Sequence, residues 1–162
     1  MPQHNIDPIY DTTSKILILG SFPSVKSREG QFFYDHPGNR FWKVLARIFG
    51  EAVPQTHAQK REFLITHHIA LWDVLAYCDI VGSADSSIKN VIPNNIAPIL
   101  DTAQINAIFC NGTASYQYYN RYILNNTQIQ ALKLPSTSPA NAAFSLDKLC
   151  VEWSAILPFL KD

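Results

Sequence analysis

Apolar positions along this chain fall into two spacings. "KILILG" (15–20) is a short, continuous, β-favouring run, the pattern of a strand buried on both faces. Asn39 precedes "RFWKVLARIFG", in which Phe41, Val44, Leu45 and Ile48 recur at helical spacing up to Gly50. An Asn before the run and a Gly at its end bracket a helix. "HAQKREFLITHH" predicts a second helix, "IALWDVL" (69–75) a second strand, "PNNIAPILDTA" a short helix and "INAIFCNG" (105–112) a third strand. "TASYQYYNRYIL" then predicts a helix, "IQALKLPS" a fourth strand and "NAAFSLDKLCVEWSAILPFL" a long closing helix. Strand–helix alternation of this kind implies an α/β fold of three layers, a central four-stranded parallel sheet with helices on both faces. No repeat, low-complexity tract or linker divides the chain, so residues 1–162 are expected to form a single domain.

Ligands of such folds bind at the carboxyl ends of the strands. Three loops therefore matter most: "GSFPSVKSREGQFFYDHPGN" after the first strand, "DVLAYCDIVGSADSSI" within or after the second, and "LPSTSPANA" after the fourth.

Composition narrows the classes. Hydrophobic residues make up 47% and charged residues 16%, a globular balance without a disordered tract. No apolar run approaches the roughly 18 residues of a membrane span, and the N-terminus has no secretory pattern, so a cytoplasmic protein is expected. The three cysteines, Cys78, Cys110 and Cys150, lie far apart and predict buried thiols rather than a disulfide framework. Formal net charge is zero, which argues against a protein that coats nucleic acid generally. Even so, Lys15, Lys26, Arg28, Arg40, Lys43 and Arg47 outnumber Glu29 and Asp35 over residues 15–47, enough for a local basic rim.

The common catalytic motifs are missing. "GSFPS" is neither a Walker loop nor a dinucleotide fingerprint, there is no nucleophile elbow, and His4, His36, His57, His67 and His68 lack a zinc spacing. No metal and no cofactor is implied. What remains suits a flat heterocycle. Phe33, Tyr34 or Phe41 could stack on a base. Asn39 could orient a water or bond a base edge, or could serve only as a helix cap. Ser21, Ser24, Ser136, Thr137 and Ser138 could hold phosphates, and Pro139 with Ala140 could wedge into a disturbed base stack. A hydrolase built on Ser21 or Ser24 with His36 has no acid partner.

"LILGSFPSVKSREGQFFYDHPGNRFWKVL" resembles the uracil-DNA glycosylase superfamily, in which a strand ending in a Gly–Pro loop leads to His-Pro-x-Asn-Arg-Phe-Trp. "LPSTSPANA", up to Asn141 and Ala142, stands where that superfamily has the loop that enters the minor groove. The combination looks most like the hypoxanthine-DNA (deoxyinosine) glycosylase branch, and the similarity runs from about Lys15 to the final helix. Phe22 stands where the superfamily often has a water-activating Asn or Asp, and Ser138 replaces a His found in many uracil glycosylases. The resemblance therefore implies that Asn39 takes the catalytic part. It also implies that Tyr34 stacks on a flipped base, with Phe33 beside it, and that Gly20, Ser21 and Phe22 support the leaving base through backbone N–H groups. By topology, Asp73 and Asn111 are expected to face that base. DNA contact falls to Ser24 and to Ser136, Thr137, Ser138, Pro139, Ala140 and Asn141. The expected partner is damaged DNA, the expected protein a monomer that leaves an abasic site. A uracil- or xanthine-preferring enzyme and a non-catalytic base-binding module are the competing readings.

Overall fold

The computed structural model describes residues 6–22, 25–79 and 88–161, with the backbone alone for 25 and 26. Its central sheet contains β1 (Ile16–Gly20), β2 (Ile69–Asp73), β5 (Ala107–Asn111) and β6 (Leu132–Leu134), all parallel, in the order β2-β1-β5-β6. β1 pairs in register with β2 from Ile16 opposite Ile69 to Gly20 opposite Asp73. Every residue of β1 and β5 is buried. Alternate side chains feed different layers, as the two-residue strand period demands. Ile16 and Ile18 join Phe41, Trp42, Leu45, Leu149 and Trp153 under α2 (Phe41–Phe49) and α7 (Leu146–Trp153). Leu17 and Leu19 join Ile99, Tyr119 and Ile123 under α4 (Ala97–Thr102) and α5 (Thr113–Tyr122). These are the two faces and three layers expected from the alternation.

Local chemistry fixes the element ends. Gly50 adopts φ 68 after α2, and its N–H together with that of Glu51 returns to the last helical turn. Thr56 and Gln59 form a reciprocal capping box at the start of α3 (His57–Thr66). α1 (Val25–Gly30) lies in the long loop after β1 and is an element the periodicity does not foretell.

Three expectations need correction. The strand read as 69–75 ends at Asp73. Val74 and Leu75 turn to donate to the carbonyls of Gly20 and Ser21, and the chain then enters a separate antiparallel pair, β3 (Leu75–Asp79) with β4 (Lys89–Pro93). This stretch was expected to be loop. The closing helix is shorter than its apolar pattern: Ser145 caps α7, which stops at Trp153, and a 3₁₀ segment, Ser154–Leu160, carries Pro158. The helix read as 113–124 ends at Tyr122, and a further short turn, α6 (Leu124–Thr127), follows that the sequence spacing does not foretell.

Among the described residues no helix is long and apolar enough to cross a membrane. Cys78, Cys110 and Cys150 are buried free thiols, as expected. Burial pushes the Cys110 thiol up to about 12, with a Ser115 hydrogen bond working weakly against the shift, so the group stays neutral.

Candidate functional site

The strand order reverses between β1 and β5, which lie side by side although the chain visits β2 between them. At such a reversal the loops leaving the two strands part in opposite directions and open a crevice at their carboxyl ends. Gly20, Asp73 and Asn111 occupy the last positions of β1, β2 and β5. All three are buried.

Gly20 is required there by close approach. A Cβ at this position would stand 2.3 Å from an Asp73 carboxylate oxygen and 2.9 Å from the Tyr34 hydroxyl. Tyr34 and Asp73 thus meet over the end of β1. The Tyr34 ring stacks on Phe41 at 4.1 Å between centroids, and its backbone holds φ 53, a left-handed conformation uncommon outside glycine. Its hydroxyl is buried without a hydrogen-bond partner. Burial drives the phenol well above its ordinary range, and the Asp73 carboxylate adds to the shift. Asn111 lies near enough to oppose it, without reaching hydrogen-bond geometry. Removing that oxygen in Tyr34→Phe is expected to raise folding stability by about 1 kcal/mol in chemical denaturation. Unchanged or lower stability in that variant would mean that the hydroxyl has a partner in the folded protein. The raised pKa also means that stability falls as pH climbs past about 10, where the unfolded phenol ionises and the folded one does not.

Phe33 is placed otherwise than expected. It is 2% exposed, packs edge-on to Phe32 and belongs to the core, with its carbonyl accepting from the Trp42 indole N–H. No face of its ring is open, whereas Tyr34 is half-buried. Phe22 is buried in the opposite layer, with the Arg28 guanidinium over its ring. Ser21 is half-buried beside it, while Ser24 lies outside the described residues.

The turn His36–Asn39 closes through the Asn39 N–H to the His36 carbonyl, 2.9 Å, and the Gly38 N–H to His36 Nδ1, 2.9 Å. Asn39 Oδ1 accepts from the Phe41 N–H at 3.0 Å, but the cap position of α2 itself is Arg40. Capping is only part of what Asn39 does. The same oxygen accepts the Thr137 hydroxyl at 2.8 Å. Thr137 is fully buried, and its N–H donates to Asn111 Oδ1 at 3.1 Å while its Oγ1 accepts from Asn111 Nδ2 at 3.0 Å. One side chain thus joins the loop after β1, the end of β5 and the loop after β6.

That last loop is folded by its own short polar side chains. Ser136 Oγ accepts the Ser138 N–H, Ser138 Oγ accepts the Ala140 N–H, and Asn141 Nδ2 donates to the Ser136 carbonyl. Pro139 and Ala140 stand exposed at its tip, with Pro139 3.4 Å from where a Gly38 side chain would begin. Trp153 Nε1 holds the loop's base through the Pro135 carbonyl at 2.9 Å.

Arg40 was expected as part of a basic rim, but it faces inward. Its guanidinium donates to the carbonyls of Phe144, of Ser138 (2.8 Å) and of Asn141 (3.1 Å), and its N–H donates to the Thr137 carbonyl at 3.0 Å. Arg47 pairs with Asp147, and Lys15 reaches the Leu160 carbonyl near the other end of the sheet. Of the expected rim, Lys43 is exposed, Arg28 lies over Phe22 and the Lys26 side chain lies outside the described residues. The loop after β1 is also latched from α3: His57 lies 3.0 Å from Asp35 and stacks on Phe32, and Lys60 adds a 3.7 Å contact to the same carboxylate. A groove of about 930 Å³ runs between the α5 start and the second loop, lined by Asn111, Thr113, Tyr118, Ser136, Ser138 and Asn141. Its lining includes neither Asn39 nor Tyr34. Among the described residues no group of three His, Cys, Asp or Glu side chains is placed to hold a metal ion.

An open parallel sheet of order β2-β1-β5-β6, with Gly20, Asp73 and Asn111 at its carboxyl edge, defines an α/β protein of three layers. Comparison with known proteins is more specific. A model of the uracil DNA glycosylase superfamily matches residues 8–161, and the chain belongs to that family. A curated hypoxanthine DNA glycosylase of Methanosarcina acetivorans is 31% identical over 158 residues, 96% of this chain and 98% of its own length. One from Methanosarcina barkeri is 34% identical over 143 residues, 87% and 89% of the two chains. The solution NMR structure of a Methanosarcina acetivorans protein described as a candidate uracil DNA glycosylase covers both chains completely, with TM-score 0.84 and 30% identity. Fold class and family both agree with the expectation drawn from the sequence.

Proposed function

We propose that this protein is a monofunctional DNA glycosylase that flips a deaminated base, hypoxanthine first, out of the duplex and hydrolyses its N-glycosidic bond. The observation that carries the site assignment is the Asn39–Thr137–Asn111 chain of hydrogen bonds, which ties both motif loops to the carboxyl edge of the sheet. A capping Asn has no need of a partner from a loop 98 residues away. The two curated relatives, each matched over most of its length, support hypoxanthine as the base.

The mechanism follows from the chemistry of the bond. Hypoxanthine pairs poorly with thymine, so extruding it costs less than extruding a normal base. Tyr34, braced from behind by Phe41, offers the stacking face. The C1′–N9 bond breaks through an oxocarbenium-like state and its electron pair leaves with the purine. A water oxygen bonds to C1′, its proton passes to solvent, and the purine takes up a proton to depart neutral. Asn39 positions groups around C1′ and steadies the developing charge, because a carboxamide is too weak a base to do more. Gly20, Ser21 and Phe22, at the carboxyl end of β1, are the backbone we assign to the leaving base. Pro139 and Ala140 fill the gap in the stack.

Single-turnover release from duplexes carrying hypoxanthine, uracil or xanthine, with abasic sites revealed by alkali, tests the reading. Hypoxanthine should lead. Uracil released first would move the substrate assignment, and binding with no scission from any duplex would favour a base-binding module. With Arg40 and Arg47 occupied by protein groups, the slope of log affinity against log salt should correspond to only about two or three phosphate contacts. A slope several times steeper would place a basic surface that these side chains do not provide.

A further inference from the structure

The hydrogen bonds around Asn39 fix the orientation of its amide. A backbone N–H can only donate, so the atom 3.0 Å from the Phe41 nitrogen is the carboxamide oxygen. The same reasoning assigns Asn111, whose oxygen faces the Thr137 nitrogen at 3.1 Å. Asn111 Nδ2 must then donate to Thr137 Oγ1, which leaves the single Thr137 hydroxyl proton for Asn39 Oδ1. Both lone pairs of Asn39 Oδ1 are thereby occupied, one by the Phe41 N–H and one by Thr137. The Asn39 Nδ2 group makes no hydrogen bond among the described residues.

We infer that Thr137 is a positioning residue that presents Asn39 to the reaction as a hydrogen-bond donor only. This rests on the reading of Asn39 given above and sharpens it. In this arrangement Asn39 takes no proton from water. Its two N–H groups meet electron-rich atoms, and the group that gains negative charge as the C1′–N9 bond breaks is the leaving purine. A preorganised donor aimed at developing charge is worth most where water is excluded, and needs no reorganisation during the step. Thr137 supplies the preorganisation: it is fully buried and every polar group it carries is paired. Asn111 in turn fixes which way the hydroxyl points.

Donor and acceptor roles separate in one substitution. Asn39→Asp keeps an acceptor for Phe41 and Thr137, so the fold is retained, but at neutral pH it offers no donor. Single-turnover hypoxanthine release by Asn39→Asp at pH 7 is expected to fall about a hundredfold or more. Its deficit relative to wild type should shrink as pH approaches the carboxyl range near 4, where a protonated carboxyl donates again. Thr137→Val, nearly isosteric, should slow release by about thirtyfold at an affinity for the same duplex within about twofold of wild type, and Thr137→Ser should recover to within about threefold. An Asn39→Asp enzyme as fast as wild type at pH 7 would overturn the donor assignment. A Thr137→Val enzyme of wild-type rate would overturn the positioning role. Should Thr137→Val fail to fold, Thr137→Ser and Asn39→Asp carry the comparison. Asn39→Ala separates the two levels: if it too releases base normally, the site reading itself falls, whereas an inactive Asn39→Ala beside an active Asn39→Asp sinks only the inference.

Discussion

Asn39→Ala is expected to lower single-turnover excision by about two to three orders of magnitude, the scale seen when one preorganised donor is removed from a charge-stabilising site. Folding stability should fall less, by about 2 kcal/mol, because the change removes two bonds, one at the start of α2 and one from the buried Thr137 hydroxyl. The Thr137 oxygen keeps its bond from Asn111. The contrast between the two effects is what a cap-only residue cannot produce. A cap contributes to stability, and its loss would leave the chemistry in proportion to the folded fraction. Stopped reactions on a hypoxanthine duplex, alongside a urea titration of the same preparation, measure both quantities. Excision within about threefold of wild type would return Asn39 to the role of punctuation.

The second large effect is expected at Arg40. One planar guanidinium holds three carbonyls of the loop after β6, those of Ser138, Asn141 and Phe144. Lysine keeps the charge but is a point donor on a flexible stem and cannot match three acceptors in a fork. Arg40→Lys should therefore cost about 3 kcal/mol of stability, given that hydrogen bonds from charged groups are each worth about 1.5–3 kcal/mol and some will be replaced by water. Excision should fall about a hundredfold, since the same loop carries both the tip at Pro139 and the Thr137 hydroxyl. Affinity for DNA and rate should decline together, unlike in Thr137→Val, because the exposed tip loosens with the buried hub. Wild-type rate and affinity in Arg40→Lys would mean that the loop holds its shape through its Ser and Asn bonds alone.

How far these features were legible differs by residue. β1 was legible because its run is continuous and lies between two cores, and α2 because Asn39 and Gly50 bracket an apolar stripe. Asp73 and Asn111 were placed correctly at strand ends by topology alone. The β3–β4 pair was not, because Val74 and Leu75 prolong the apolar run of β2 while the backbone leaves the sheet, and a change of partner does not alter a hydrophobic pattern. Phe33 and Tyr34 are neighbours of similar size, and the left-handed turn at Tyr34 that sends one ring to the core and the other over Gly20 has no compositional mark. Arg40 read as surface charge because hydrophobic patterning says nothing about where a guanidinium finds carbonyls. Its three acceptors lie about a hundred residues away. Thr137 was expected at the DNA with the rest of its polar loop, but it is fully buried and cannot touch a phosphate. Only the meeting of three loops makes it a hub.

β6 is three residues long and, among the described residues, bonds to the sheet on one side only, through β5, with Leu132 and Lys133 exposed. Segments with few buried contacts and exposed backbone hydrogen bonds open locally below the free energy of global unfolding, and this edge is expected to be one of them. Each such opening would carry Thr137 away from Asn111 and Asn39 while the rest of the domain stayed intact. The fraction of molecules competent for catalysis at any instant is then set by the breathing of this edge. Amide hydrogen exchange at 132–137 should report that fraction, and the enzyme should lose activity on warming before it melts.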